Sequence, residues 1–120
     1  MTEETLNTET ASLKEMYGDV SFSRTAAGAT LIRISDAPLP KGCNPSSTPT
    51  LLVVQGQGRP ALYVKPKIIL SNGVTPRSTS SVSVEGEEWM QFSYNFTWDE
   101  NSHSLVQFVA AGLQRFAKLE

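Results

Sequence analysis

The sequence predicts an α+β domain: an N-terminal helix, a four-stranded antiparallel meander, an irregular segment, and a C-terminal helix packed on the sheet. Three observations predict it. Apolar residues recur at helical spacing near both ends, short β-branched runs separated by glycine and proline lie between them, and neither repeat nor linker divides residues 1–120. The chain therefore reads as one domain, and its 120 residues are enough for a single core.

The stretch "TEETLNTETASLKEMYG" predicts the first helix, with Leu6, Leu13, Met16 and Tyr17 on one face and acidic residues in the first turn. Gly18 supplies the left-handed stop. Two strands follow around the turn Ala26-Ala27-Gly28, the second alternating Ile32 and Ile34 with Leu31 and Arg33. Pro38 and Pro40 end that pairing, because proline offers no N–H to a ladder. "TLLVVQ" is a continuous apolar run that reads as a central strand. "GQGRP" is a connection, and "ALYVKPKIIL" is a further strand bent at Pro66. From Ser71 to Thr97 clear periodicity is lost, and so long a segment is expected to be functional or to carry short elements of its own. The final helix carries the stripe Leu105, Phe108, Val109, Leu113 and Phe116, with Asp99, Asn101 or Ser102 as its cap.

Composition narrows the function. A formal net charge of -2 and the lack of any basic run argue against nucleic acid and anionic lipid as partners. No apolar run approaches the roughly 20 residues that span a bilayer, and the polar, acidic opening residues lack the pattern of a signal peptide. The expectation is a cytoplasmic protein without membrane attachment.

Chemistry-bearing residues are few. One cysteine, Cys43, and one histidine, His103, give neither a disulfide nor a zinc-ligand spacing, so no metal and no cofactor is expected. Gly56-x-Gly58 lacks the strand-loop-helix setting that aims amides at phosphate and reads as a turn. Cys43 is the one nucleophile candidate, yet only Lys41 lies near it in sequence to lower its pKa, so an incidental or half-buried thiol is the preferred reading. Trp89, Phe92, Tyr94, Phe96 and Trp98 form an aromatic stretch, either a core face or a partly exposed platform for a protein partner.

Taken in order, "LKEMYGDV", "LPKGCN", "TLLVVQ", "YVKPKIILSNGVTP", "GEEWMQFS", Trp98 and "SLVQFVAAGLQRF" resemble the ubiquitin-conjugating enzyme and RWD-like superfamily. More narrowly, they are similar to a bacterial ubiquitin-conjugating-like family. The resemblance covers nearly the whole chain through short, degenerate motifs. It implies the same α+β order, with a thioester cysteine in the segment corresponding to Ser71–Trp98, where this chain has none. "SNGVTP" stands where a His-Pro-Asn tripeptide is expected, and Ser93-Tyr94-Asn95 replaces a Ser-Arg-His-like tripeptide. Cys43 lies before the third strand, on the wrong side of the meander for that chemistry.

These departures imply a catalytically inactive, monomeric, conjugating-enzyme-like module in a bacterial ubiquitin-like modification or defence system. Its partner would be a protein, such as a ubiquitin-like modifier or its activating enzyme. Trp89, Tyr94 and Asn95 are the expected protein-binding residues, since Trp and Tyr tolerate partial exposure, with Trp98 packed into the domain. The alternative is a small acidic chaperone or adaptor for a secreted or mobile-element protein, commonly a dimer. A true conjugating enzyme using Cys43 ranks third.

Overall fold

A computed structural model describes residues 3–55, 60–65, 68–77, 79–92 and 103–117. Helix α1 (Glu3–Tyr17) leads into strands β1 (Val20–Arg24), β2 (Thr30–Pro38), β3 (Ser47–Val54) and β4 (Ala61–Val64). A crossover follows, then β5 (Thr79–Val84), β6 (Glu87–Phe92) and helix α2 (Leu105–Gln114), which tightens into a 3₁₀ turn at Arg115–Ala117. The α+β order agrees with the expectation. The strand count does not: the sheet has six strands in the order β1-β2-β3-β4-β6-β5.

The first four strands are the expected antiparallel meander, joined neighbour to neighbour. The correction lies in the segment read as irregular. There Val84 pairs with Glu87 across Glu85-Gly86, and both loop residues have positive φ, 52° and 76°. That is the geometry of a two-residue primed turn, whose twist matches the strands it joins. The hairpin folds back so that β6 hydrogen-bonds to β4 and β5 becomes an edge strand. Pro49 lies inside β3, but it sits where the β2 register slips between Ile34 and Ala37, so the ladder is already interrupted there.

The sheet faces two environments. On one face Ile32, Ile34, Leu52, Leu62, Val64, Met90 and Phe92 join Leu6 and Leu13 of α1 in a continuous core. All five residues of the C-terminal stripe are buried in that same core, Leu105 and Val109 at 0% exposure. Met16 departs from its expected place. It is 61% exposed, while Tyr17 is half-buried against the core.

Caps and one long-range contact position the helices. Gly18 takes φ 86° and its N–H bonds Lys14, ending α1 as its residue type allows. Helix α2 is capped by Ser104, whose hydroxyl accepts from the Gln107 N–H while Gln107 Oε1 accepts from the Ser104 N–H. The capping candidates Asp99, Asn101 and Ser102 lie at or before the described start of that segment: all three fall outside the described residues. Glu9 of α1 accepts the Leu105 N–H at 2.8 Å. A carboxylate at that end also suits the helix dipole, so the two helices are tied where both need it.

Phe108 is 1% exposed at the centre of the α2 stripe. Phe108→Ala should cost about 3–5 kcal/mol, measured as the shift in a urea unfolding curve. An unchanged curve would place the stripe outside the core.

Candidate functional site

The loop carrying Cys43 is held by backbone geometry. Leu39 N–H bonds Ser46, and Asn44 exchanges two hydrogen bonds of 2.8 Å with Ile69. Gly42 has φ 94°, and a Cβ there would come within 2.6 Å of the Ser71 Cβ, so only glycine permits so close an approach to the crossover. The loop thereby turns Cys43 inward, among Leu39, Ile68, Leu70 and Phe116.

There the thiol is 7% exposed and donates to the Phe116 carbonyl at 3.5 Å. Burial pushes its pKa up, and the Ser71 backbone N–H opposes that shift only in part. Among the described residues no cation acts on it, whereas a reactive thiolate depends on a positive neighbour or a helix N-terminus. The Cys43 thiol is a small core side chain that ties the loop to the end of α2.

Among the described residues no group of three or more His, Cys, Asp or Glu side chains could hold a metal ion. No helix described is long and apolar enough to cross a membrane. Tyr94, Asn95 and Trp98 lie outside the described residues.

Trp89 is 3% exposed, so of the two readings of the aromatic stretch it takes the core one, though not on the face that Phe92 shares. The reason is its register: three residues from Phe92, it faces the other way across the sheet, so the two rings belong to different clusters. Phe92 packs with Phe116 in the main core at 4.8 Å between centroids. Trp89 joins Leu31 and Leu51 on the opposite face, with Val53, Tyr63 and Val84 half-buried around them. Every described member of this second cluster comes from a strand.

A set of polar groups borders that cluster. Lys65 Nζ lies 4.1 Å from the centroid of the Trp89 ring, a cation–π contact. The same ammonium is 3.0 Å from Glu87 Oε2 and donates to the Glu88 carbonyl at 3.0 Å. Arg33, on the same face of β2 as Leu31, acts on the Glu87 carboxylate electrostatically. Its Nη1 atom and the Trp89 Nε1 atom are both buried and make no hydrogen bond. The indole N–H adds the smallest of the effects on Glu87 and stops short of hydrogen-bond geometry.

Sequence reasoning placed Arg33 on an alternating strand and Lys65 next to a proline bend, and assigned neither to a site. The signal for Arg33 was present as a charged residue within an otherwise apolar strand, "TLIRI". The partnership with Lys65, Glu87 and Trp89 needed the β4–β6 pairing, which only the unforeseen hairpin creates.

Comparison of the chain with protein-family models, curated proteins and solved structures finds no match.

The Lys65 ammonium, chiefly through its hydrogen bond, holds the Glu87 carboxyl below its ordinary value of 4.5. A carboxyl lowered on folding stabilises the folded state above its unfolded pKa and loses that contribution as pH falls through the folded one. Glu87→Gln should therefore melt slightly earlier than wild type at pH 7. The difference should close as pH drops below 4.5 and shrink in ~1 M salt. A gap independent of pH would assign Glu87 a packing role instead.

Proposed function

We propose that this domain is a non-catalytic protein-binding module of the conjugating-enzyme-like kind, which presents the strand face opposite its helices to a partner. The observation that carries the non-catalytic half is the position of Cys43. The chain's single thiol sits in the helix-side core, hydrogen-bonded to Phe116 and with no cationic neighbour among the described residues. Thioester formation needs a thiolate that a bulky activated carbonyl can reach.

The binding half is supported by the second face. Half-buried Tyr63, Val53 and Val84, with the charged Lys65 and Glu87 beside them, lie around a buried centre of Leu31, Leu51 and Trp89. Partly open aromatic and aliphatic side chains bordered by charges are a composition that protein interfaces use. The N-terminal helix, four-strand meander and terminal helix also keep the order that the conjugating-enzyme resemblance implies. On this reading the partner is a ubiquitin-like modifier or the enzyme that activates it.

The test incubates the purified protein with an activating enzyme, ATP and a ubiquitin-like modifier. The expected result is no thiol-sensitive adduct on a denaturing gel, together with amide shifts confined to the Leu31–Leu51–Tyr63 face when unactivated modifier is titrated in. A reducible adduct that disappears in Cys43→Ser would overturn the reading.

A further inference from the structure

Strand β1 ends the sheet on one side, with no strand beyond it among the described residues. Its ladder with β2 fixes which backbone groups face outward. The Ser35 N–H bonds the Asp19 carbonyl and the Thr25 N–H bonds that of Ala29, so the odd-numbered residues of this stretch exchange hydrogen bonds with β2. Val20, Phe22 and Arg24 therefore turn their N–H and C=O groups away from the sheet. Such an edge can template a further strand, and sheets usually blunt it with lysine, proline, a bulge or a cover. The stretch "VSFSR" has neither lysine nor proline, and its register with β2 runs without a shift. Ser21 to Arg24 are all exposed, and the one charge, on Arg24, is paired with Glu3. At the centre of the strand Phe22 is 42% exposed.

We infer that β1 is a self-association edge, to which β1 of a second copy adds antiparallel about a two-fold axis through Phe22. The inference goes beyond the proposed function and does not depend on it, and it replaces the monomer that the sequence resemblance implies.

The argument for a second copy is that the edge is complementary to itself. An antiparallel pair centred on Phe22 sets that residue opposite its own copy, Ser21 opposite Ser23, and Val20 opposite Arg24. Phe22, Val20 and Arg24 are the residues whose backbone groups face outward, so each of those pairs exchanges hydrogen bonds. Phe22 shares the helix-side face with Val20 and with its β2 partner Ile32. The two rings meet there and cover apolar surface that each chain alone leaves in water.

Charge agrees with this arrangement. Helix α1 begins at Glu3, beside Arg24, and ends just before β1 begins, so it runs antiparallel to the strand. The same two-fold sets the two α1 helices antiparallel. The acidic first turn of one, with Glu3 and Glu4, then lies toward the end at which the other carries Lys14. The opposite edge, β5, exposes no large apolar side chain, and a strand added there would cover mainly serine.

Sedimentation equilibrium of the full chain, taken up to about 1 mM because a short edge makes a small interface, should show a reversible monomer–dimer equilibrium. Phe22→Lys should weaken association about tenfold or more. Its melting temperature at low concentration should match wild type, since the side chain stands at an exposed edge. Disulfide trapping tests the register, with Cys43→Ala as background and Ser21→Cys and Ser23→Cys chains taken singly and mixed. Ser21 and the second copy's Ser23 form a non-hydrogen-bonded pair with Cα atoms about 4.5 Å apart, within disulfide reach. The mixture should cross-link and neither variant alone should. Trapping leaves Phe22 in place, so it decides the matter even if Phe22→Lys fails to fold. A monomer at every concentration would overturn the inference. So would a dimer that survives Phe22→Lys and is lost in Ser81→Lys, which would move the contact to β5. Cross-linking of the single variants as strongly as the mixture would overturn the two-fold through Phe22.

Discussion

Burial of both helices against one face of the sheet is the constraint from which the other features follow. The α2 stripe and the inner residues of α1 are apolar on one side only, and the sheet face bearing Ile32, Leu52, Leu62 and Phe92 is where both can be covered. Once α2 lies there, its 3₁₀ end brings Phe116 against Phe92 and against the Cys43 loop. The thiol is thereby fixed as a core group, and the opposite face is left to the strands alone among the described residues. The burial of the cysteine is a consequence of that packing choice.

The two faces also differ in how they meet their polar demands. On the helix side Thr50 is fully buried, and its hydroxyl donates to the Thr48 carbonyl at 3.2 Å. The helix ends are likewise satisfied, by Ser104, Gln107 and Glu9. On the strand side Lys65 meets Glu87, the Glu88 carbonyl and the face of the Trp89 ring.

Much of the fold was legible in the sequence because it rests on periodicity. The stripe Leu105, Phe108, Val109, Leu113 and Phe116 has no polar interruption, and Gly18 and the Leu31–Ile34 alternation are local signals with local causes. The β5–β6 hairpin was not legible. Its turn is Glu85-Gly86 rather than Asn-Gly or Asp-Gly, and Glu seldom takes the positive φ the turn requires. Its first strand, "TSSVSV", carries few apolar residues, as suits an edge. Missing the hairpin hid the site. Lys65 and Trp89 are 24 positions apart, and only the β4–β6 ladder makes them neighbours. Met16 shows the opposite error, in which helical spacing placed on the inner face a residue that is exposed to solvent.

The Cys43 thiol is where packing and function meet, and its ionisation is the measurement that tests the account most directly. A carbon-13 titration of the Cys43 Cβ in the folded protein reports it without chemical modification. Burial behind the loop and α2 predicts a titration midpoint raised above 9.0, its ordinary value. A transition well below 9.0 would reveal an electropositive, accessible thiolate and contradict the claim that this cysteine belongs to the core.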